Sequence, residues 1–564
     1  MNGVTIKNSG ATFTPTELAD YLADKIIDEL KREHVTSYTI LDPACGEGEL
    51  LNSIAHKIKF ENETININLK GFDTNLNYIK SAKSNLHKFN SYSVDIQNQD
   101  FLETSGVCDE PLNLFSQKTD SEYADIVIAN PPYVRTQILG TEKAQQIAKR
   151  FNLKGRIDLY YPFLIAMTNV LKPGGILGVI TSNRYLFTKS GETIRKFLLE
   201  HYELLEVIDL GDTKIFDAAV LPAIFIGRKK SNKKQLSVPC RFAKIYEELN
   251  GVGKQVNQKD SLFDILKSNE SGVYMANGKK YNFNIGLLKH SSDKAGIWQM
   301  TNNEENGWIE KIRANSSFFI GDRFKVRIGV KSCADNVFIK EKWEKELIKP
   351  EDDLFKKLIS QENIQRWCFT SENDLKILYP HYSQNGKRLV LDLNDYPKAK
   401  AYFETHREQL SGRKYLMDAG RKWYEMWVPQ NPAFWALPKL VFPDISIDAR
   451  FYYDENGSIV NGNCYWIVAH TLQEKELLFL IQGIANSDLI SRYHDLCFNN
   501  KLYSGRRRYF SQYIERYPIP DPNSAYSKQI IEIVKQLNKL TALNQDASDL
   551  EKELNVHVEK AYGF

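Results

Sequence analysis

The sequence predicts a doubly wound α/β sheet followed by a mixed α+β domain. Three observations carry that prediction. Short apolar strands alternate with helical patterns from Thr14 to about residue 230. Each of the first three strands runs into a turn bearing an acid or glycines, at Asp42 to Gly48, at Asp73 and at Asp100. The rhythm then stops at Arg228-Lys229-Lys230-Ser231-Asn232-Lys233-Lys234, a basic run that reads as a domain boundary. A chain of 564 residues is too long for one ordinary core. The expected division is a first domain at 1–230, a linker or insertion at 231–300, a second domain at 301–522 and a helical segment at 523–564.

Composition narrows the class. A hydrophobic fraction of 42% and a charged fraction of 26% belong to a soluble globular protein. No apolar run approaches membrane-spanning length, and no signal-peptide pattern is read at the N-terminus. Seven scattered cysteines argue for a reducing compartment, so a cytoplasmic location is expected. A monomer is the expectation for assembly, though no sequence feature fixes it. No CxxC, HExxH or clustered His/Cys spacing occurs, and no metal site is expected. A net charge of +3 permits nucleic-acid binding without requiring it.

In chain order, Phe13-Thr14-Pro15-Thr16-Glu17 reads as a helix start. Thr14 fits the N-cap, Pro15 the first helical position, and Glu17 completes a capping box. Leu18, Tyr21, Leu22, Ile26 and Leu30 follow at helical spacing. Tyr38 to Asp42 then reads as a strand, and Pro43-Ala44-Cys45-Gly46-Glu47-Gly48 as the turn into an apolar helix. Gly46 and Gly48 let backbone approach a ligand, and the helix N-terminus offers N–H groups. The turn is not GxGxxG, and its acids would repel a pyrophosphate. A positively charged ligand, such as a sulfonium with an amino-acid tail, suits it better. A second strand ends at Asp73, placed to bind a ribose diol. A third leads to Asp100-Phe101, an acceptor for an adenine amino group beside an aromatic ring. Each acid alone is more often a cap or turn residue; the pattern is the three together.

The strand Ala124 to Ala129 ends in Asn130-Pro131-Pro132-Tyr133. The prolines have fixed φ and no N–H, so their carbonyls are rigid acceptors. An aromatic amine is a poor nucleophile because its lone pair is delocalised. Asn130 Oδ1 and the Pro131 carbonyl can each accept one of its N–H bonds and localise that pair, while Tyr133 stacks on the ring. A plain strand-to-loop turn is the competing reading. Lys172-Pro173-Gly174-Gly175 then feeds another strand, and Tyr185 or Phe187 beyond it is a candidate second wall of an aromatic pocket. In the C-terminal half, Ile328 to Asn336 reads as an exposed loop carrying Lys331. Lys422-Trp423-Tyr424 and Trp427 pair a cation with large rings. Arg506, Arg507 and Arg508 form the most basic loop, suited to phosphates or guanine edges.

These residues resemble the gamma arrangement of N6-adenine DNA methyltransferases, the TaqI-like family that uses S-adenosylmethionine. The resemblance lies in the motifs and their order. Phe13-Thr14-Pro15 is similar to that family's N-terminal cofactor motif, and Asp42 to Gly48 to its methionine-binding loop. Asp73 is similar to its ribose acid, Asp100-Phe101 to its adenine-binding pair, and Asn130 to Tyr133 to its catalytic motif. Val441 to Ser446 and Arg506 to Pro520 resemble its specificity domain. The resemblance implies a Rossmann-like methyltransferase sheet followed by a target recognition domain. It also implies double-stranded DNA as partner, with a restriction endonuclease acting separately where one exists. Two alternatives stay open on the motif alone, a glutamine-N5 protein methyltransferase and an RNA adenine methyltransferase. The former class is small and lacks a large C-terminal half.

Overall fold

The structure is a computed structural model. It describes residues 13–30, 35–87, 92–104, 122–133, 141–153, 158–216, 221–231, 239–248, 256–289, 296–370, 375–498 and 505–564. The chain forms two compact units, Met1–Asn303 and Glu304–Phe564.

The first unit opens with helix α1 (Thr16–Asp28), strand β1 (Ser37–Asp42), α2 (Glu49–Glu61), β2 (Asn66–Phe72), α3 (Leu76–Leu86), β3 (Tyr92–Gln97) and the single turn α4 (Phe101–Thr104). It continues through β4 (Ala124–Ala129), α5 (Thr141–Arg150), α6 (Tyr160–Val170), β5 (Leu171–Ser182), α7 (Glu192–His201), β6 (Tyr202–Asp209) and β7 (Pro222–Lys229). Then come β8 (Arg241–Glu247), β9 (Val256–Gln258), α8 (Leu262–Leu266), β10 (Gly272–Ala276) and β11 (Lys279–Leu287). All eleven strands form one sheet in the order β3-β2-β1-β4-β5-β7-β6-β8-β11-β10-β9. Strands β3, β2, β1, β4 and β5 run parallel. The apolar, β-branched composition of β4 and β5 follows from burial on both faces, whereas β3, at the sheet edge, buries only Ile96.

Alternation within the strands sorts side chains between two layers. Ile40 of β1 and Ile126 and Ile128 of β4 face a core that holds Leu18, Leu22 and Ile26 of α1 and Leu51 and Ile54 of α2. Leu41, Val127 and Ala129 face a second core with Leu164 and Met167 of α6 and Ile194 and Leu198 of α7. Lys172 to Gly175 lies within β5, where the register with β4 shifts from Ala124↔Leu171 to Ile126↔Ile176. Gly174 takes φ 79° there.

Two expectations change. Strand β7 does not continue the parallel alternation; it pairs antiparallel with both β5 and β6. The stretch 231–300, read as a linker or insertion, supplies β8 to β11 to the same sheet, with β8 parallel to β6. The basic run is therefore a strand end. Arg228 and Lys229 pair with Glu203 and Glu122, and residues 232–234 lie outside the described residues.

The second unit begins with α9 (Asn303–Ala314). Strands β12 (Phe318–Phe319), β13 (Arg327–Ile328), β14 (Ile339–Lys340), β15 (Phe355–Ile359), β16 (Lys376–Leu378), β17 (His381–Gln384) and β18 (Lys387–Val390) follow, then α10 (Pro397–Thr405). Next come β19 (Lys439–Pro443), β20 (Ile445–Ser446), β21 (Tyr452–Asp454), β22 (Ile459–Val460) and β23 (Cys464–Val468). Helices α11 (Leu472–Ala485) and α12 (Asp488–Phe498), strands β24 (Arg507–Arg508) and β25 (Pro518–Ile519), and helices α13 (Ala525–Ala542) and α14 (Ser548–Ala561) complete it. The sheets are small: β13-β23-β19-β21, β14-β16-β15-β22, and three two-stranded ladders. The C-terminal helices are part of this unit. Gln482 of α11 and Asn538 of α13 exchange amide hydrogen bonds at 2.9 and 2.8 Å.

Candidate functional site

Neighbouring parallel strands bring the expected residues to one sheet edge. Asp42 is the last residue of β1, Asp73 follows β2, Asp100 follows β3, and Asn130 follows β4. The order β3-β2-β1-β4 makes that edge continuous.

The glycine turn is tied to its neighbour. Cys45 N donates to Phe72 O at 2.8 Å. Gly46 N donates to Asp73 Oδ2 at 3.1 Å, and Asn75 N donates to Asp73 Oδ1 at 2.7 Å. Asp42 Oδ1 accepts from Ala44 N at 3.0 Å. Asp42 is 1% exposed. Burial first, then the Asp73 charge, push its carboxyl up to about 8 against the pull of the Ala44 N–H. Burial likewise raises Asp73, which remains half-buried. Gly46 and Gly48 take φ 51° and 87°, values that favour glycine. Gly48 stands at the N-cap of α2 with no side-chain capping bond. No atom lies within 4 Å of where a Gly46 side chain would begin, so this backbone faces open space. An open left-handed glycine turn, a helix N-terminus and two side-chain carboxyl groups form a polar edge that fits a ligand carrying both an ammonium and a diol.

Asp100 caps α4 by accepting from Leu102 N at 3.0 Å, and Lys143 lies 3.9 Å away. Phe101 departs from its expected place. It is 2% exposed, with its ring 5.3 Å from Phe72 and 6.3 Å from Phe163. Its ring faces the core because the α4 turn points that side chain beneath the edge.

Asn130 is half-buried and Pro131 buried, with Pro132 and Tyr133 half-buried. The alternation that turns Ile126 and Ile128 toward α1 turns Asn130 the same way. There Asn130 Nδ2 donates to Thr14 Oγ1 at 2.9 Å. On the other side the Tyr133 hydroxyl donates to Asn130 Oδ1. Thr14 is thus not an N-cap. Helix α1 begins at Thr16 behind Pro15, no side chain caps it, and the capping box with Glu17 does not form. The Pro15 carbonyl instead accepts from Leu18 N and Ala19 N, both at 3.0 Å. Phe13 is half exposed, its ring edge-on to Tyr78 at 5.3 Å.

Tyr185 and Phe187 are not surface walls. They are 1% and 3% exposed. Tyr185 packs edge-on against Tyr160 and Trp298. The one-turn helix Arg184–Phe187 folds back on the sheet and buries both rings. The ring that meets Tyr133 is Phe216, 6.2 Å away and tilted 60°. It arrives on the loop after β6, a contact across the sheet edge that no local pattern marks.

In the second unit, the two stretches singled out in the sequence pair with each other. Ile445↔Arg508 and Ser446↔Arg507 form the β20–β24 ladder, and Tyr509 N donates to Asp444 O at 2.8 Å. Arg507 is spent on structure. Its Nε and Nη2 meet Asp495 at 2.6 and 2.8 Å, and Nη1 bonds Ile447 O. Arg506 and Lys331 are exposed, while Arg508 lies 3.9 Å from Asp444. Trp427 is exposed and stands edge-on to exposed Tyr415 at 4.8 Å. Val428, next in sequence, pairs with Lys331. Tyr424 is buried.

Two family descriptions match the chain. Residues 25–216 match the Eco57I restriction-modification methylase, and residues 356–519 match the TaqI-like C-terminal specificity domain. These matches point to a methylase of restriction–modification type. The chain is 44% identical over 566 residues to the type II methyltransferase M.BanIII of Aneurinibacillus aneurinilyticus, covering 99% of this chain and 97% of that one. It is 24% identical to the type II methyltransferase M.BstVI of Geobacillus stearothermophilus, covering 92% and 91%. The ATP-dependent type ISP restriction-modification enzyme LlaBIII bound to DNA overlaps 95% of this chain and 39% of that one, at 13% identity and a TM-score of 0.49. The chain belongs to the type II methyltransferases of restriction–modification systems. Among the described residues, no helix is long and apolar enough to cross a membrane.

Proposed function

We propose that this chain transfers a methyl group from S-adenosylmethionine to N6 of an adenine rotated out of duplex DNA. The observation that supports this most is Asn130 at the carboxyl edge of β4, beside the acid-bearing turn of β1 and locked between two hydroxyls. An exocyclic amine inside a base pair is unreachable, so the base must leave the stack. Asn130 Oδ1 and the Pro131 carbonyl then accept the two N6–H bonds and localise the nitrogen lone pair. An amide oxygen has two acceptor sites, so Tyr133 and the base can share Oδ1. Tyr133, backed by the buried Phe216 ring, stacks on the base ring.

When bound, S-adenosylmethionine supplies a methyl group already activated on a positively charged sulfur. Asp42, Ala44, Cys45, Gly46 and Gly48 would hold its amino-acid end, Asp73 its ribose and Asp100 its adenine. The opening residues Phe13 and Pro15 complete that cradle, while the Thr14 hydroxyl is engaged by Asn130. In the second unit, Lys331, Arg506 and Arg508, with Trp427 and Tyr415, form the surface that meets DNA. A cytoplasmic monomer, with any restriction endonuclease acting separately, belongs to the same reading.

Asn130→Ala tests it. Methyl transfer to DNA should fall about a hundredfold or more, the scale of losing a placed acceptor at the reacting atom, with cofactor affinity unchanged. Turnover near that of the unaltered enzyme sinks the proposal. Tritium from labelled cofactor should appear in adenines of duplex DNA; label in RNA or in protein glutamine would favour the alternatives.

A further inference from the structure

We propose that Thr14 is a positioning residue for methyl transfer, acting through the orientation of the Asn130 amide. The proposal rests on the function given above and goes beyond it by assigning Thr14 a task at the reacting edge.

A primary amide has two chemically opposite ends on nearly the same outline. With Oδ1 toward the substrate, Asn130 accepts from an amine. Rotated by half a turn, it presents N–H groups to an amine that also donates, and the contact becomes repulsive. Something must choose between these states. Thr14 and Tyr133 sit at the two ends of the amide, and their hydroxyls differ. A phenol oxygen shares its lone pair with the ring, so it donates well and accepts poorly. An aliphatic hydroxyl is the better acceptor. The amide gains most with its N–H on threonine and its carbonyl under the phenol, which is the arrangement present. The Thr14 hydroxyl reaches across 116 residues of sequence to do this. It makes no capping bond to α1, so its side chain is not accounted for by helix formation.

The experiment compares Thr14→Val, Thr14→Ser and Asn130→Ala in the full-length protein with duplex DNA and labelled S-adenosylmethionine. Valine keeps the shape and removes the acceptor. The expected result is a fall in kcat of about ten- to thirtyfold, the scale of one positioning hydrogen bond, with cofactor Kd and thermal melting unchanged. Thr14→Ser restores most of the rate. Adding Thr14→Val to Asn130→Ala costs no more, because the amide it orients is gone. A loss carried by cofactor Kd with kcat intact overturns the proposal and assigns Thr14 to the cofactor. An unchanged kcat, or a lowered melting temperature that serine does not repair, also overturns it. Asn130→Ala alone tests the function: if that variant turns over normally, the function fails whatever Thr14 does.

Discussion

At residue scale the site depends on where single polar groups find partners. Thr14 shows why part of it was illegible in the sequence. Thr-Pro-x-Glu satisfies every local rule for a helix cap, and the partner that claims the hydroxyl, Asn130, lies 116 residues away. Tyr185 and Phe187 failed for the converse reason. An aromatic ring near a strand end can turn either way, and here one short helical turn buries both. Asp42, Asp73, Asp100 and Asn130 were legible because strand termini in a parallel sheet share one edge. The same scale holds the second unit's most exacting contact. Lys439 and Asp454 form an ion pair at 2.8 Å with both side chains at or below 1% exposure. Lys439 also donates to Trp435 O, and Ser458 donates to Asp454. Lys439→Met strands a buried carboxylate and should cost about 3–5 kcal/mol. Adding Asp454→Leu should recover much of that loss. Denaturant titration of the two variants checks this; a double variant no more stable than Lys439→Met alone would show that the stranded carboxylate is not the source of the loss.

Elements explain how the edge is held. Helix α1 packs on β5 at Gly178, where an added Cβ would stand 2.5 Å from Ile26 Cδ1 and 3.1 Å from Leu22 Cδ1. Both neighbours are fully buried, so neither has room to yield. Gly178→Ala should destabilise by about 1–3 kcal/mol through overpacking. It should also disturb Thr14, two residues ahead of α1. Gly307, within α9, has nothing within 4 Å of its ideal Cβ. Gly307→Ala should therefore stabilise, by about 0.5–1 kcal/mol, because only the entropy of the unfolded backbone changes. Melting curves distinguish the two signs. Strands β4 and β5 were readable because apolar runs between turn residues have few alternatives, and β1 to β3 because each leads into an acid or glycine turn. Strands β8 to β11 were not. Short strands such as Val256–Gln258, exposed throughout, carry no burial pattern to read.

For the whole molecule, charge separates structure from recognition. Lys331 and Arg506 are exposed, whereas Arg507 is locked on Asp495. Three arginines in a row look alike in sequence, and only the fold says which one is spent. Lys331→Ala and Arg506→Ala should each weaken DNA binding and lower the slope of log affinity against log salt by about one. Arg507→Ala should instead lower the melting temperature, because Asp495 loses its bidentate partner. Filter binding at several salt concentrations, with melting curves alongside, reads both effects. A slope change for Arg507→Ala without destabilisation would reverse the assignment.

The ladder joining Ile445–Ser446 to Arg507–Arg508 is made by main-chain atoms, which every residue except proline supplies in full. Side chains on it that, unlike Arg507, are not tied to a structural partner can be exchanged while the rails keep their spacing. On the proposed reading, a lineage of such chains can drift from one cognate word to another a letter at a time, each intermediate still folded and still able to protect its genome.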